Sequence, residues 1–553
     1  MRCLVYHEVR WYFFSVSATT VKKVLLAILF VSALLRVGWI SRGDTVNDEV
    51  FYGFRAVGLL DFDEAGKQTT PLEWFDPAPP LWTSLSFHDH PPLVFWVQHL
   101  SIKVFGENNF AMRLPSALLG VASVYLIFLL GSLLFTASAG LISASLLSVT
   151  LNHIYISRVG MQESFVIFFL LLASYLFLRA VREGRSFIPL GITLGLALLT
   201  KYNAFILFPI FGTFLLLYHR EAFRRKDLWL ALSLAVVIFS PVIIYNVMLY
   251  KTVGHFDFQF SYVFGQNPKE WQVAPGKEVG SLLERAQDFF PRLVGSHSWL
   301  FLALAGVALF FLRSPFLLIS LGYLLLLLAV IGPGFRFLAM LTPFLALSVG
   351  AFLQTHLQLR KYFLWLLVPV LLFEVFYSIN NQIAYYPVGQ KPWLSSKIRY
   401  ENYNWGYNEL GDYFDRELAR KIPSATFRMQ YAFIEREQDT SIRKGERKGY
   451  LPYPALIVTY GNFDHGAKLW RLDRLKIYHG WPIIDFATYQ QYLRENGADY
   501  YERSGFRDFY FVEGNIVPDP AFTELTKGLP PHYVYNPRSE AVFTIYERHL
   551  RPI

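Results

Sequence analysis

Apolar runs follow one another from residue 24 to residue 376, and they decide what this chain can become. They fall at 24–40, 115–135, 140–156, 165–178, 187–199, 204–218, 228–250, 299–312, 316–331, 337–353 and 363–376. A backbone in lipid must satisfy its own hydrogen bonds, so such runs are expected to be transmembrane helices. The expectation is a polytopic α-helical membrane protein with about eleven transmembrane helices. Several runs are shorter than the roughly 20 residues of a simple span, so interfacial residues must lengthen them or the helices break near the surface. Composition agrees, with 54% hydrophobic and 17% charged residues and a mean hydropathy of +0.32. The net charge of +9 is modest and in such a protein points to cytoplasmic anchoring loops, not to nucleic acid. The single cysteine, Cys3, excludes an intrachain disulfide and a cysteine-based zinc site.

Basic residues orient the spans. Arg2, Arg10, Lys22 and Lys23 precede the first run and place the N-terminus in the cytoplasm. No small-residue cleavage site stands at Trp39-Ile40, so the first run is expected to be retained as a span. Arg179, Arg182 and Arg185, then Arg220, Arg224, Arg225 and Lys226, then Arg313, then Arg360-Lys361 fall in alternate loops on the same inner side. An odd number of crossings then puts everything after Tyr377 outside. The expected division is a membrane domain over 1–377, with outer loops at 41–113 and 251–297, and an extracytoplasmic α/β domain over 378–553. In that last part the periodicity predicts helices over 408–422 and 486–496, and strands over 455–460, 508–512 and 541–547.

Residues able to carry chemistry gather on the outer side. Asp48-Glu49 follows the first span. Read blandly it is a solvated pair or a helix cap; read functionally it is a general base within reach of an acceptor hydroxyl. A helix starting there puts Tyr52 on the same face as Asp48. His88-Asp89-His90-Pro91-Pro92 opens a further helix, and proline holds His90 extended. Asp89 and His255, the latter from the second outer loop, are candidate ligands for a divalent metal; the bland reading is a polar turn. Arg158, Lys201 and Arg336 end helices on this side. Such cations often snorkel to headgroups, but they also suit a departing phosphate.

The motifs together resemble a family. Asp48-Glu49-x-x-Tyr52, His90-Pro91-Pro92-Leu93 with Phe95-Trp96, Phe105-Gly106, and Arg113-Leu114-Pro115-Ser116 resemble the ArnT-like and protein O-mannosyltransferase-like membrane glycosyltransferases. These are GT-C superfold enzymes, glycosyltransferase family 39 and its relatives. Leu199-Thr200-Lys201, Arg158 before Glu163, and Phe335-Arg336-Phe337 before Pro343 follow in the family's order. The resemblance covers about residues 24–353.

The resemblance implies transfer of a sugar, with inversion, from an undecaprenyl or dolichyl phosphate to a lipid, glycan or protein acceptor outside the membrane. It implies Asp48 as catalytic carboxylate with Glu49 as second candidate. His90, Arg158, Lys201 and Arg336 would face the donor phosphate, and Asp89 would take the place of a metal-binding acid. The sequence departs from the family at two points. Phe51 stands where those transferases often carry Arg, and His90 replaces their Lys before Pro-Pro. The competing class is a transporter or flippase of lipid-linked sugars, which would place polar residues mid-span and often show inverted repeats; a scaffold whose external domain binds a partner is a third.

Overall fold

A computed structural model describes residues 17–45, 48–63, 68–271, 280–356, 360–384, 387–389, 393–402, 404–514 and 519–550. Arg2 and Arg10, and the 272–279 part of the second outer loop, lie outside the described residues.

Each apolar run falls on helix. Among the described residues five helices are long and apolar enough to cross a membrane: Ala18–Val37, Asn109–Leu134, Glu163–Arg182, Lys226–Val253 and Phe335–His356. The run at 140–156 becomes two helices, Ala137–Val149 and Leu151–Arg158, bent by 61° and together a sixth candidate. Shorter apolar helices, Ile188–Thr200 and Pro315–Ile331 among them, pack beside these. Polar caps start several of them: Asn108 accepts from the Ala111 N–H and Thr136 from the Ala139 N–H. Ile188–Thr200 lies very close to Lys226–Val253 because Gly191 and Gly195 are four apart on one face. A Cβ on Gly191 would stand 2.2 Å from the Ala231 carbonyl oxygen, and one on Gly195 2.6 Å from Ile238 Cβ.

The bend at Thr150 interrupts the helical ladder, and a buried arginine serves the carbonyls beside it. Arg36, on α1 (Ala18–Val37), donates Nη2 to the Leu147 oxygen (3.0 Å) and Nη1 to that of Ser148 (2.8 Å). The exchange is mutual. Arg158, on Leu151–Arg158, donates to the carbonyls of Leu35 (2.9 Å), Gly38 (2.7 Å) and Trp39 (3.0 Å), where α1 ends. Terminal carbonyls without partners are expensive away from water, so the two segments finish each other.

The C-terminal part is a mixed sheet with helices. Strands β1 (Lys421–Pro423) and β2 (Leu451–Tyr453) pair in parallel as a small separate ladder. The main sheet has β3 (Ala455–Tyr460), β4 (Ile483–Asp485), β5 (Asp508–Glu513), β6 (Pro531–Tyr535) and β7 (Ala541–His549) in the order β4-β3-β5-β7-β6. β3 runs parallel to both neighbours, whereas β7 is antiparallel to β5 and β6. The three strands and the 486–496 helix read from the sequence are present; the helix begun at 408 is Tyr407–Glu417, shorter than its periodicity.

This domain is fastened to the segment between α1 and Asn109–Leu134. Asp44 accepts from the backbone N–H groups of Trp405 (2.5 Å) and Asn408 (2.9 Å), and Asp76 from those of Ala432 (3.0 Å) and Phe433 (3.1 Å). Trp470, fully buried, donates Nε1 to Asn109 (2.8 Å), and Tyr478 donates to the Phe54 carbonyl (2.7 Å).

Replacing Arg158 by Met removes its donors from the carbonyls of Leu35 and Gly38 at the end of α1. The expected loss is on the order of 3 kcal/mol of stability, read as a lower melting temperature of the detergent-solubilised protein. A variant that melts with the parent would remove Arg158 from this role.

Candidate active site

Asp48 is the first residue of α2 (Asp48–Gly58), which follows α1 after a short turn. The next residue fixes this helix in place. The Glu49 carboxylate, fully buried, accepts from Arg113 Nη2 (2.6 Å), Arg113 Nε (3.0 Å) and the Gly160 N–H (2.8 Å). Arg113 also donates to the carbonyls of Ile40 (3.0 Å), Arg42 (2.9 Å) and Asp44 (3.1 Å). One guanidinium therefore holds both the turn before α2 and its first turn. Glu49, the second candidate base, is spent on this and faces no open space.

Asp48 points the other way, and its side chain keeps 38% of its surface. Its carboxylate is ion-paired with Arg336 and lies 3.4 Å from the Tyr52 hydroxyl, one turn on. Tyr52 Oη is 3.2 Å from His90 Nε2, and His90 Nδ1 is 3.0 Å from Asp89. On the other side Arg336 Nε is 3.8 Å from Glu163, which accepts from Lys201 Nζ at 2.6 Å. Lys201 and Arg336 both lie over the Phe337 ring, at 5.2 and 4.8 Å from its centroid. A continuous polar chain thus runs Lys201–Glu163–Arg336–Asp48–Tyr52–His90–Asp89. It joins one end of five separate helical segments.

Desolvation by the surrounding protein raises the Asp48 pKa, while the facing charges, Arg336 first and then Lys201 and His90, lower it. The charges prevail, and the carboxyl is held below its usual range. Tyr202, next to Lys201, donates to buried Asp257 (2.5 Å), which also accepts from Asn246 (3.0 Å). That fixes the corner carrying Lys201 to the segment after Lys226–Val253. The Phe258 N–H then reaches the His88 carbonyl (2.8 Å), joining that segment to the one before Leu93–Phe105.

Not every expected residue arrives. Arg158 caps α1 as described, with its guanidinium turned to carbonyls and not to Asp48. His255 lies with Trp74 and Trp271, its ring centroid 4.7 Å from that of Trp271, and its Nε2 is 3.6 Å from Glu270. Among the described residues the group able to surround a metal is Asp61, His88 and Asp89, with ligand atoms within 4.8 Å of one another. Those atoms already hold each other and Arg55. His88 Nδ1 is 2.8 Å from Asp61, and Arg55 donates to Asp89 at 2.6 Å. Burial lowers the His88 pKa, but Asp89 and Asp61 lift it to about 10, so the ring carries the proton that a ligand must lose. A metal would have to displace that proton and Arg55, and the residues fit an ion-pair network better.

The sequence reading missed Arg113 and Asp61. Arg113 stood in a motif, but its task is visible only once the turn at 40–44 is seen folding over it. Asp61 carried no signal beyond being acidic.

Known proteins can now be set beside this geometry. A family model described as dolichyl-phosphate-mannose-protein mannosyltransferase matches residues 89–245. The putative mannosyltransferases YkcB and YycA of Bacillus subtilis (strain 168) are 28% and 27% identical, over 46% and 38% of this chain. The matched stretches span 37% and 30% of those relatives' own lengths, so this chain aligns with about a third of each. The crystal structure of ArnT from Cupriavidus metallidurans bound to undecaprenyl phosphate superposes with a TM-score of 0.56. That match covers 97% of this chain and 100% of the other at 14% identity. The fold is that of the GT-C membrane glycosyltransferases. Within that fold the helices from Ala18 to Gln382 come first in the chain and the sheet part follows them.

The His88 cluster sets a pH dependence. Its folded pKa lies above the unfolded value of 6.5, so its stabilisation is complete below pH 6.5 and fades as pH rises toward about 10. Asp89, to which burial is unfavourable, is pulled well below 3.8 by Arg55, His88 and His90, so its share is lost only as pH falls below about that value. Melting temperature should therefore decline between pH 6.5 and 10 in the parent, and less steeply in His88→Gln. Parallel profiles would remove the cluster as the cause.

Proposed function

We propose that this chain is a polyprenyl-phosphate-sugar-dependent glycosyltransferase that moves a hexose or pentose to an acceptor on the outer face of a plasma or inner membrane. The donor would be an undecaprenyl or dolichyl phosphate sugar. The topology that fits is about eleven crossings, a cytoplasmic N-terminus, a membrane domain over 1–377 and an extracytoplasmic domain over 378–553. The observation that carries this reading is the polar chain itself. A half-open carboxylate and two cations from distant segments meet at one end of an apolar bundle, where a lipid-linked phosphate must stay.

The chemistry follows from the charges. The donor phosphate docks against Lys201 and Arg336, with His90 beside them. In doing so it draws Arg336 away from Asp48. The carboxylate then loses its strongest opposing charge and becomes a better base. It takes the proton of the acceptor hydroxyl as that oxygen attacks the anomeric carbon from the face opposite the phosphate. The carbon–phosphate oxygen bond breaks, polyprenyl phosphate leaves with the electron pair, and the new glycosidic bond has inverted configuration. Arg336 and Lys201 stabilise the charge that develops on the leaving oxygen. Tyr52 holds Asp48 and His90 in register. Glu49 and Arg158 serve by fixing α2 and α1. Asp89 serves by fixing His90.

Asp48→Asn should lower sugar transfer about 10²–10⁴-fold in proteoliposomes while insertion and melting stay near the parent. Transfer at the parental rate would remove the base. Incubation with a chelator, followed by assay with and without added divalent ions, should leave transfer unchanged. Loss that only an added ion restores would instead put a metal at the Asp61 group.

A further inference from the structure

A second hollow, of about 390 Å³, opens on the outward domain among Trp405, Tyr407, Asn462, Asp464, Val542 and Phe543. That volume is within the range of about 300–1,000 Å³ typical of small-molecule sites. Trp405 leaves 51% of its surface exposed at the edge of this hollow. Tyr407 and Phe543 are buried and meet edge to face with centroids 5.1 Å apart, so the wall behind is rigid. Tyr407 Oη accepts from the Asp464 N–H (2.5 Å), and Asp464 Oδ1 accepts from the Ala467 N–H (2.8 Å). Asp464 Oδ2 and the exposed Asn462 amide make no hydrogen bond among the described residues.

The hollow adjoins the Asp48 region. Its Trp405 edge is tied by a backbone hydrogen bond to Asp44, four residues before Asp48 and so no more than about 14 Å along the chain. Its Asp464 edge continues into His465 and Gly466, which pack on α2. The His465 and Phe51 rings are 6.3 Å apart, and a Cβ on Gly466 would lie 3.4 Å from Val50. Phe51 and Val50 belong to the first turn after Asp48.

The chemistry of the wall selects a ligand class. An aromatic face suits the C–H face of a pyranose, and a carboxylate and an amide suit its hydroxyls. No lining residue is cationic, and Asp464 repels anions, so a phosphate or uronic acid is disfavoured. We propose that this hollow is an acceptor subsite that seats an uncharged pyranose ring against Trp405, with its hydroxyls on Asn462 and Asp464. This rests on the glycosyltransferase reading above and narrows its acceptor to one that carries a neutral saccharide.

The test uses the full chain in nanodiscs. Saturation-transfer NMR is recorded with mannotriose, maltotriose and chitotriose, and with trigalacturonic acid as the anionic comparison. At least one neutral trisaccharide should bind, and trigalacturonic acid should not. Trp405→Ala and, separately, Asn462→Ala should weaken that binding about tenfold, whereas Trp405→Phe should largely keep it. Asn462 is exposed and serves as the variant least able to disturb folding. No neutral trisaccharide binding, or equal binding by parent, Trp405→Ala and Asn462→Ala, overturns the subsite. Asp48→Asn should bind the trisaccharide like the parent while its transfer falls about 10²–10⁴-fold. Parental transfer with an acceptor KM unmoved by Trp405→Ala removes the subsite and leaves the enzyme. Binding lost in Trp405→Ala, with no transfer by the parent, leaves the subsite and removes the enzyme.

Discussion

An isolated carboxylate at the rim of an apolar bundle would take up a proton, because desolvation favours its neutral form. Asp48 escapes this through Arg336, and Arg336 is itself balanced by Glu163, which Lys201 balances in turn. The alternation of signs is what keeps four charged groups stable within reach of one another. It also leaves the set poised. An anionic ligand that competes for the two cations changes the charge felt by Asp48 without any large movement of the chain. The remaining architecture serves to deliver these groups to one end: α2 brings Asp48, the start of Glu163–Arg182 brings Glu163, the end of Ile188–Thr200 brings Lys201, and the short helix Phe335–Leu338 brings Arg336.

Two further layers hold that arrangement. Arg113 binds Glu49 and the turn at 40–44, so the register of α2 is set from below. The sheet domain covers the same loop through Asp44, Asp76, Trp470 and Tyr478. Asp44 accepts three backbone N–H groups, from Trp405, Tyr407 and Asn408, and behaves as a cap that spans two domains. Burial nevertheless raises its pKa, which those N–H donors and Arg471 only partly offset. The first loop is therefore clamped between the bundle and the sheet domain.

Much of this was legible from the sequence. Apolar runs gave the helices because lipid-facing backbone has few options. Asp48, Lys201 and Arg336 were singled out together, from motifs and from their shared side, and they do meet. What escaped was long-range and polar. Arg158 looked like the other rim cations, and nothing local says that its partners are carbonyls some 120 residues earlier. Glu49 and Asp48 are adjacent and alike, yet a helix points them to opposite surroundings. His255 was grouped with Asp89 because both are ligand types on outer loops, whereas the indole of Trp271 and the acid of Glu270 occupy its surroundings. Thr150 gives no proline or glycine warning of the 61° bend.

The mutual capping of Arg36 and Arg158 bears on how the chain is made. The C-terminal turn of α1 emerges from the ribosome about 120 residues before the guanidinium that completes it. Until then its last carbonyls must be served by water or by the insertion machinery, so the first segment cannot settle deeply on its own. It is finished only when the bent segment ending at Arg158 arrives, and that segment in turn needs Arg36 already waiting for its exposed carbonyls. In the folded chain each of the two segments therefore supplies the backbone partners that the other lacks.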